Sequence, residues 1–346
     1  MAREVQGEDW FRRLTNGDRH HEREEGDGQA GGEAEHPFLH ELFQEKRLQD
    51  ATARASDETK AILRDARRLS AYRGLVSVPD DYVNRCSQLE EDFPNFAEYI
   101  NDFLLPELAL ELARGGVIKL SPTVFLGAPG IGKTLFVAAF CEAFGLPHAR
   151  INLETSAAGF EVVGSSRQWS NGAPGRIFRW MAGGCGSANG VLILEELDKA
   201  KGDHRFDVTA PLIQLLEPTT AKSFEDACIP ELPLDLRPLN YLFTANSLDG
   251  VSEPILSRLV VVEIPSLTPE QAKAIALRQY ESLIESLDLN CQPPKLTEES
   301  LAILSEESPR RQRHLLRLAL GRSLFQQKAE IAIKVDKRKT VKMGFC

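Results

Sequence analysis

The segment Gly127–Thr134 constrains the fold of this chain more than any other part of its sequence. It follows the pattern G-x-x-x-x-G-K-[ST] of a phosphate-binding loop. The apolar run before it, Thr123–Leu126, predicts a strand, and the residues after it, Leu135–Phe144, predict a helix. The start of a helix offers unpaired N–H groups and the positive end of a dipole to an anion. This stretch therefore predicts an α/β domain with a loop that binds a nucleoside triphosphate.

The residues of this loop have separate expected tasks. Glycines let the backbone approach the phosphates closely and adopt positive φ angles. The ammonium group of Lys133 is expected to reach the β- and γ-phosphates, and the hydroxyl of Thr134 to ligate Mg²⁺. The predicted nucleotide-binding residues of the loop are Gly127, Pro129, Gly130, Ile131, Gly132, Lys133, Thr134 and Leu135.

Length and composition narrow the class of protein. The 346 residues suffice for two or three domains. The formal net charge of −10 argues against a protein that binds nucleic acid mainly by electrostatic attraction. No run approaches about 18 apolar residues and the N-terminus lacks the apolar core of a signal peptide, so we expect no membrane span. The six cysteines include no C-x-x-C pair, which favours reduced thiols in a cytoplasmic protein.

The chain before the loop changes composition along its length. Residues 1–36 are rich in Gly, Glu, Asp, Arg and His, which predicts a disordered acidic tail. From His36 to about Arg73 the periodicity is helical but the charges are many, so exposed helices are expected. Residues 93–113 carry apolar residues at helical spacings, which predicts a helix that faces the core.

Residues 120–265 alternate between strand-like and helical runs, a pattern typical of a parallel sheet covered by helices on both faces. The five strand candidates are Thr123–Leu126, Ala149–Leu153, Gly190–Glu195, Leu239–Ala245 and Leu259–Ile264. Beyond Pro269 the pattern is helical, with a weak strand signal at Ile331–Val335. The expected organisation is a tail (1–36), a helical N-terminal region (37–115), an α/β nucleotide-binding domain with a five-stranded parallel sheet (116–268) and a small helical lid domain with a short C-terminal tail (269–346).

Polar side chains end two of the predicted strands. Glu195 and Glu196 follow the apolar run Gly190–Leu194, and Asn246 follows the run Tyr241–Ala245. Ligands of open α/β sheets bind at the carboxyl ends of the strands. We therefore expect the two carboxylates to serve Mg²⁺ and an attacking water, and Asn246 to position that water or contact the γ-phosphate.

These features, in this order, resemble the AAA+ ATPases, and within that class the ATPase module of Lon proteases. The resemblance covers roughly residues 117–320. The segments that carry it, besides the phosphate-binding loop, are Gly172–Ile177, Leu194–Lys199, Leu215–Pro218 with Ser223–Asp226, Thr244–Leu248 and Pro254–Leu259. Each match is short, and their joint order and spacing are specific.

The resemblance implies roles for individual residues, with ATP as the nucleotide and Mg²⁺ as the metal. Glu195 would hold the metal through water, and Glu196 would polarise the attacking water. Asn246 would be the sensor 1 residue. Arg258 would reach the nucleotide of a neighbouring subunit as an arginine finger, where a guanidinium stabilises the developing charge.

Two further roles follow from the resemblance. Arg313 best matches the sensor 2 position, with Arg310 and Arg311 as close competitors. Trp169 aligns with the aromatic residue of the Lon pore loop, which lines a central channel and pulls a polypeptide. A buried structural tryptophan is the alternative for that position.

The chain also departs from the Lon pattern. Glu195 stands where Asp is usual, and we expect hydrolysis to survive this change at a reduced rate. No peptidase domain follows the lid in this sequence, so the motor is expected without the protease. The predicted function is an oligomeric protein remodeller, a hexameric ring or helical assembly that acts on a protein substrate or partner and works with a separate peptidase or without one. The alternatives are a nucleotide-dependent switch or scaffold that recruits a partner through the N-terminal helices and, disfavoured by the acidic charge, a DNA-remodelling ATPase.

Overall fold

The computed structural model describes residues 38–154, 158–169, 172–200, 208–287 and 292–333. The strands within these ranges are β1 (Leu39–Glu41), β2 (Tyr72–Gly74), β3 (Thr123–Leu126), β4 (His148–Asn152), β5 (Val191–Glu195), β6 (Asn240–Ala245), β7 (Val260–Glu263), β8 (Lys295–Leu296) and β9 (Glu330–Ile331). The helices are α1 (Glu45–Arg54), α2 (Asp57–Arg68), α3 (Tyr82–Asp92), α4 (Ala97–Tyr99), α5 (Leu105–Arg114), α6 (Lys133–Ala143), α7 (Ala158–Val163), α8 (Arg176–Gly183), α9 (Thr209–Leu216), α10 (Pro218–Ala221), α11 (Glu253–Leu256), α12 (Pro269–Leu287), α13 (Glu298–Ser305) and α14 (Pro309–Phe325). The predicted tail over residues 1–36 lies outside the described residues, as do Ser170 and Asn171.

A five-stranded parallel sheet carries the centre of the fold, in the order β4-β5-β6-β3-β7. Its central strands are apolar on both faces: Val191, Leu192, Ile193 and Leu194 of β5 have no exposed surface. Helices cover both faces of the sheet, because a strand that is apolar on both faces must be shielded from water on both. The predicted α/β fold with a five-stranded parallel sheet is confirmed.

The register of the sheet brings three strand ends together. Leu126, the last residue of β3, pairs with Ala245 of β6, and Leu194 of β5 pairs with Phe243 of the same strand. The loops that leave β3, β5 and β6 therefore start side by side at one edge. The phosphate-binding loop leaves β3 at this edge, and α6 begins at Lys133.

The N-terminal helices are part of the core, so the expectation of exposed helices from His36 to Arg73 is wrong for their inner faces. Leu48 and Ala51 of α1 and Leu63 and Ala66 of α2 are buried in the same apolar cluster as the β5 side of the sheet. The sequence suggests exposed helices because each helix has only one narrow stripe of apolar residues among many charged ones. An antiparallel pair, β1 with β2, frames the two helices and was not predicted.

The predicted helix over 93–113 faces the core but is not a regular helix. A 3₁₀ turn (Pro94–Phe96) leads into α4, and a π-helical turn (Ile100–Leu104) separates α4 from α5. Pro106 lies just after the widened turn. Proline has no N–H to donate, and its ring clashes with the carbonyl four residues earlier in a regular α-helix, which accounts for the local widening.

The lid has a core of its own. Ala276, Tyr280, Leu304, Leu316 and Leu320 from α12, α13 and α14 pack together. Strands β8 and β9 pair in parallel beside them, and the predicted strand at Ile331–Val335 is described only as far as residue 333. No described helix is long and apolar enough to cross a membrane.

Polar contacts dock the lid against the segment that precedes the 3₁₀ turn. The guanidinium group of Arg278 pairs with the carboxylate of Asp92 at 3.1 Å and donates to the carbonyl of Glu91. The buried amide of Asn95 donates to the carbonyls of Ile131, at 3.2 Å, and Pro265, at 3.4 Å. Asn95 thus ties the phosphate-binding loop to the chain that enters the lid.

Candidate functional site

A cavity of about 250 Å³ lies at the edge where β3, β5 and β6 end. It is surrounded by residues of the phosphate-binding loop and by the carboxylates that follow β5. The side-chain amide of Asn246 and one arginine of the lid complete its wall. Its lining residues are Pro129, Gly130, Gly132, Lys133, Thr134, Leu135, Asn152, Glu195, Glu196, Thr244, Ala245, Asn246 and Arg310. The structure therefore brings most of the residues predicted from the sequence to one place.

Lys133 lies at the base of this cavity and is 8% exposed. Its ammonium group donates to the carbonyls of Gly127 at 2.6 Å and Ala128 at 3.0 Å, and to Oδ1 of Asn246 at 3.0 Å. Burial lowers the pKa of Lys133, while the charges of Asp198 and Glu196 oppose that shift. All three acceptors are neutral, so an anionic phosphate oxygen would be a stronger partner for the ammonium group.

Two glycines give the loop its shape. Gly132, directly before α6, has a φ of 106°, a conformation that side chains with a Cβ rarely adopt. At Gly127 a Cβ would lie 2.7 Å from the side chain of Ile131 and 2.7 Å from the carbonyl oxygen of Ile264. A larger residue at either position would displace the loop from the cavity edge.

Glu195 and Glu196 both line the cavity, and their backbones differ. Glu195 is the last residue of β5, whereas Glu196 has a φ of 61° in the left-handed region. Such a conformation costs a non-glycine residue about 1–2 kcal/mol. The backbone N–H of Glu196 donates to Oγ1 of Thr244 at 3.4 Å, which helps to hold this turn.

Asp198 belongs to the site although sequence reasoning assigned it no role. Its Oδ1 accepts a hydrogen bond from the backbone N–H of Asn246 at 3.1 Å, and its charge acts on Lys133. Asp198 and Asn246 thus hold each other in place on neighbouring strand ends. Asn152 and Thr244 also line the cavity and were not predicted from the sequence. For Thr244 the available signal was its place near the end of the apolar strand β6, whereas Asn152 ends β4, a strand with exposed polar residues that gave no such signal.

The three candidate sensor 2 arginines occupy different environments. Arg310 lines the cavity at the loop. Arg313, the preferred candidate, lines a neighbouring cavity instead. Nε of Arg311 pairs at 3.5 Å with Glu307, which lies in the turn between α13 and α14. Of the three, Arg310 is the one that lines the cavity of Lys133, while Arg313 shares the neighbouring cavity with Ile131 and Gly132. The sensor 2 role of Arg313 stays a prediction.

The neighbouring cavity has a volume of about 720 Å³ and lies between the lid and the segment before β3. Apolar side chains supply much of its wall, among them Phe93, Ile131 and Ile275. Gly132 and Leu135 line both cavities. A ligand with a charged end and a flat apolar end could therefore extend from one cavity into the other.

Arg258 lies outside both cavities of its own chain. Its Nη1 donates to the carbonyl of Pro254 at 2.7 Å, and its Nη2 lies 3.5 Å from a carboxylate oxygen of Glu217. The Nε atom is buried and has no hydrogen-bond partner among the residues that the structure describes. This guanidinium group is therefore held by the loop around α11 without serving the cavity formed by the same subunit.

Trp169 is 58% exposed, so a buried structural tryptophan is excluded for this position. Its ring packs edge-on against Phe160, with 5.7 Å between the ring centroids. The neck of its loop is closed by Asp226, which accepts from the backbone N–H of Gly175 at 2.7 Å. Trp169 thus projects from a loop whose base is buried and hydrogen-bonded.

Comparison with known proteins agrees with this geometry. The model of the ATPase family associated with various cellular activities (AAA) matches residues 123–266. Lon protease 2 of Herpetosiphon aurantiacus is 32% identical over 203 residues, 58% of this chain and 25% of that protein. Lon protease of Halothermothrix orenii is 36% identical over 220 residues, 63% of this chain and 27% of that protein. Lon protease 1 of Thermus thermophilus is 32% identical over 191 residues, 54% of this chain and 24% of that protein. The matched region spans about a quarter of the length of these relatives.

Proposed function

We propose that this chain hydrolyses ATP to remodel proteins. Residues 123–266 match the model of the AAA family of ATPases, and they are similar to the corresponding part of Lon proteases. The observation that carries the proposal is the meeting of Lys133, Glu196 and Asn246 at one cavity from three adjacent strands. A cation, a carboxylate and an amide at the end of a phosphate-binding loop are the groups that phosphoryl transfer to water requires.

The two cavities suit the two parts of a nucleotide. The triphosphate would lie in the smaller cavity, where Lys133 and the N–H groups at the start of α6 attract negative charge. The base would lie in the larger cavity against Phe93, Ile131 and the lid. Since the lid helices supply part of this second wall, nucleotide binding would fasten the lid to the α/β domain.

The donors for Mg²⁺ are suitable in kind. Thr134 and Glu195 both line the cavity and offer the hydroxyl and carboxylate oxygens that Mg²⁺ prefers. A bound Mg²⁺ would neutralise part of the charge on the β- and γ-phosphates. A glutamate at position 195 still supplies a carboxylate, so the kind of donor offered to Mg²⁺ is the same as with aspartate.

The chain's own side chains divide the remaining work. Glu196 would accept hydrogen bonds from the attacking water and polarise it, and Asn246 would orient that water. Lys133 would exchange its neutral partners for phosphate oxygens. Arg310 would contact the nucleotide from the lid, and Arg258 would stabilise the transition state in the cavity of a neighbouring subunit, because it lies outside its own.

The experiment that tests hydrolysis replaces Glu196 by Gln, which keeps the size of the side chain and removes its ability to act as a base. We expect ATP to bind with unchanged affinity and the hydrolysis rate to fall at least 100-fold, in line with the loss of a general base. Glu225→Gln, at an exposed position outside the cavity, is the matched control. Hydrolysis at the wild-type rate in the Glu196 variant would contradict the assigned site.

A second experiment tests the remodelling step. Trp169 is exposed and lies outside the nucleotide cavity, so Trp169→Ala should leave ATP hydrolysis within about twofold of the wild-type rate. The ATP-dependent unfolding of a reporter protein should be lost. Trp169→Phe, which keeps an aromatic ring, should retain a substantial part of that activity. Undiminished substrate unfolding by the alanine variant would favour the alternative function, a nucleotide-dependent switch that binds one defined partner.

A further inference from the structure

The segment that leads to Trp169 is fastened to the first N-terminal helix. Nη1 of Arg167 donates to the backbone carbonyl of Arg54 at 3.1 Å, and Nη2 of the same guanidinium group donates to Oε1 of Glu231. Arg54 is the last residue of α1, where the negative end of the helix dipole favours a cation. Arg167, Glu231 and Arg54 are called the Arg167 cluster below.

Glu231 depends on this cluster for compensation of its charge. Its side chain is 15% exposed, and its Oε2 is buried without a hydrogen-bond partner among the residues that the structure describes. Burial raises the pKa of Glu231, but the hydrogen bond and the charge of Arg167 outweigh burial, so the pKa is lowered overall. Separation of the pair would leave a poorly solvated carboxylate, because the guanidinium group of Arg54 is 3.7 Å away and largely exposed.

A tight turn links Arg167 to the backbone of Trp169. The backbone N–H of Trp169 donates to the carbonyl of Ser166 at 3.1 Å, which closes a turn that contains Arg167. The ring of Trp169 is exposed and packs edge-on against Phe160, so its direction depends on how its backbone is held. A contact that fixes Arg167 therefore also fixes the direction of Trp169.

The helix that follows the Trp169 loop is fastened to the same N-terminal helices. Helix α8 packs against α2, and Arg73, which is 1% exposed, joins the ends of the two. Its guanidinium group donates to the carbonyl of Leu69 at 2.8 Å, at the end of α2. It also donates to the carbonyls of Ala182 and Cys185, both at 3.0 Å, at the end of α8. The pair α1 and α2 thus holds the chain before and after Trp169.

We propose that Arg167 is a positioning residue for Trp169, and that through it α1 and α2 fix the direction in which Trp169 meets a polypeptide. The inference rests on the proposed function, in which Trp169 grips the substrate. It gives the N-terminal helices a task within each subunit, since a force on Trp169 passes to α1 and α8 instead of bending the turn. The residues of the Arg167 cluster line neither nucleotide cavity, so this task is separate from hydrolysis.

The first experiment measures the motion of Trp169 in the absence of ATP and substrate. In a chain with Trp10→Phe and Trp180→Phe, the decay of fluorescence anisotropy reports on Trp169 alone. Arg167→Met keeps an unbranched side chain and removes both hydrogen bonds. It should raise the amplitude of the nanosecond motion of Trp169 by about two- to fivefold, the range for a partly exposed ion pair.

Two matched variants control this measurement. Arg167→Lys keeps the positive charge beside Glu231 but loses the two-nitrogen fork, so its amplitude should lie between those of the parent chain and Arg167→Met. Arg114→Met removes a surface pair with Glu111, at 3.0 Å, that does not involve the Trp169 segment. It should leave the anisotropy decay unchanged.

The second experiment measures ATP hydrolysis and the unfolding of a reporter protein together. Arg167→Met should leave kcat and KM for ATP within about twofold of the wild-type values. The amount of ATP consumed per reporter unfolded should rise by about two- to fivefold. Glu231→Gln should cause a smaller change of the same sign. The double variant should be no worse than Arg167→Met, because both substitutions remove one contact.

Unchanged motion of Trp169 in Arg167→Met would overturn the proposal, and so would additive losses in the double variant. A loss of ATP turnover in parallel with reporter unfolding would also overturn it, since that pattern indicates general damage to the fold. If Arg167→Met does not fold, the same measurements on Arg167→Lys decide. Failure of the proposed function has a different signature: the wild-type chain unfolds no reporter, while Arg167→Met still increases the motion of Trp169.

Discussion

At the scale of single residues, burial sets the chemistry of two charged side chains. Burial lowers the pKa of Lys133, whose ammonium group donates to neutral oxygens that an anion could replace. Asp226 has no exposed surface, and burial raises the pKa of its carboxyl from 3.8 to about 6. Backbone N–H groups of Gly175 and Cys228 donate to Asp226 and oppose this shift. Both residues give up solvation to hold a loop in place.

The raised pKa of Asp226 predicts how the free energy of unfolding depends on pH. The folded chain binds this proton more tightly than the unfolded chain, so the contribution is fully present below pH 3.8 and is lost as pH rises through about 6. The difference of about two pKa units corresponds to on the order of 3 kcal/mol. Denaturant unfolding of the wild-type chain and Asp226→Asn should therefore show a wild-type advantage that is larger near pH 4 than near pH 7. A difference between the two that does not vary with pH would contradict the assignment.

At the scale of elements, the loop that carries Trp169 depends on tight packing at its neck. Gly164, at one end, has a φ of 75°, and Gly175, at the other, donates to Asp226. A Cβ at Gly164 would lie 2.6 Å from Oδ1 of Asp226 and 2.7 Å from the backbone N of Gly175. The neck therefore has no room for a side chain.

Gly164→Ala should open this neck. Left-handed backbone and a contact below 3 Å act together, so we expect a loss of about 1–3 kcal/mol in the free energy of unfolding. Limited proteolysis should cut between Gly164 and Gly175 faster than in the wild-type chain. Gly186→Ala is the control, because a Cβ there would meet nothing within 4 Å. Equal cleavage rates in the two variants would show that the neck tolerates a side chain.

At the scale of the whole molecule, the role proposed for Arg258 would be carried out in the cavity of a neighbouring subunit. The cavity contains Glu196 and Lys133, while Arg258 is held elsewhere by Pro254 and Glu217. An arginine that completes the cavity of a neighbour would require an assembly in which each subunit donates to the next. The N-terminal segment from β1 to β2, packed into the core, would be part of every such subunit.

Mixing two inactive variants tests this arrangement. Arg258→Ala keeps an intact cavity but lacks the donated guanidinium, and Glu196→Gln has the reverse defect. Each alone should hydrolyse ATP at least 100-fold more slowly than the wild-type chain, and their mixture should recover a measurable fraction of the rate. The recovered rate should also vanish on dilution, as subunits dissociate. A mixture no more active than its components would contradict donation between subunits.

Sequence alone predicted most of the strands and the phosphate-binding loop. Glycine positions, apolar strand runs and helix starts are short-range properties, so Gly127–Thr134 could be placed before any contact was known. Glu196 and Asn246 could be placed at one edge because parallel strands end on the same side of a sheet. The Pro106-associated π turn shows the limit of this reasoning, since it interrupts a run of ideal helical spacing.

Sequence by itself therefore determined the strand–loop–helix unit, the fold class and the residue types at the cavity edge. Tertiary structure decided that Arg310 lines the cavity of Lys133 while Arg313 lines the neighbouring one, that Asp198 holds Asn246, and that the inner faces of α1 and α2 are buried. Arg310 and Arg313 lie one turn apart on the same helix, so their periodicity is equivalent and only the docking of the lid distinguishes them. Local conformation follows from the chemistry of neighbouring residues, whereas contacts between distant segments follow from how whole elements pack.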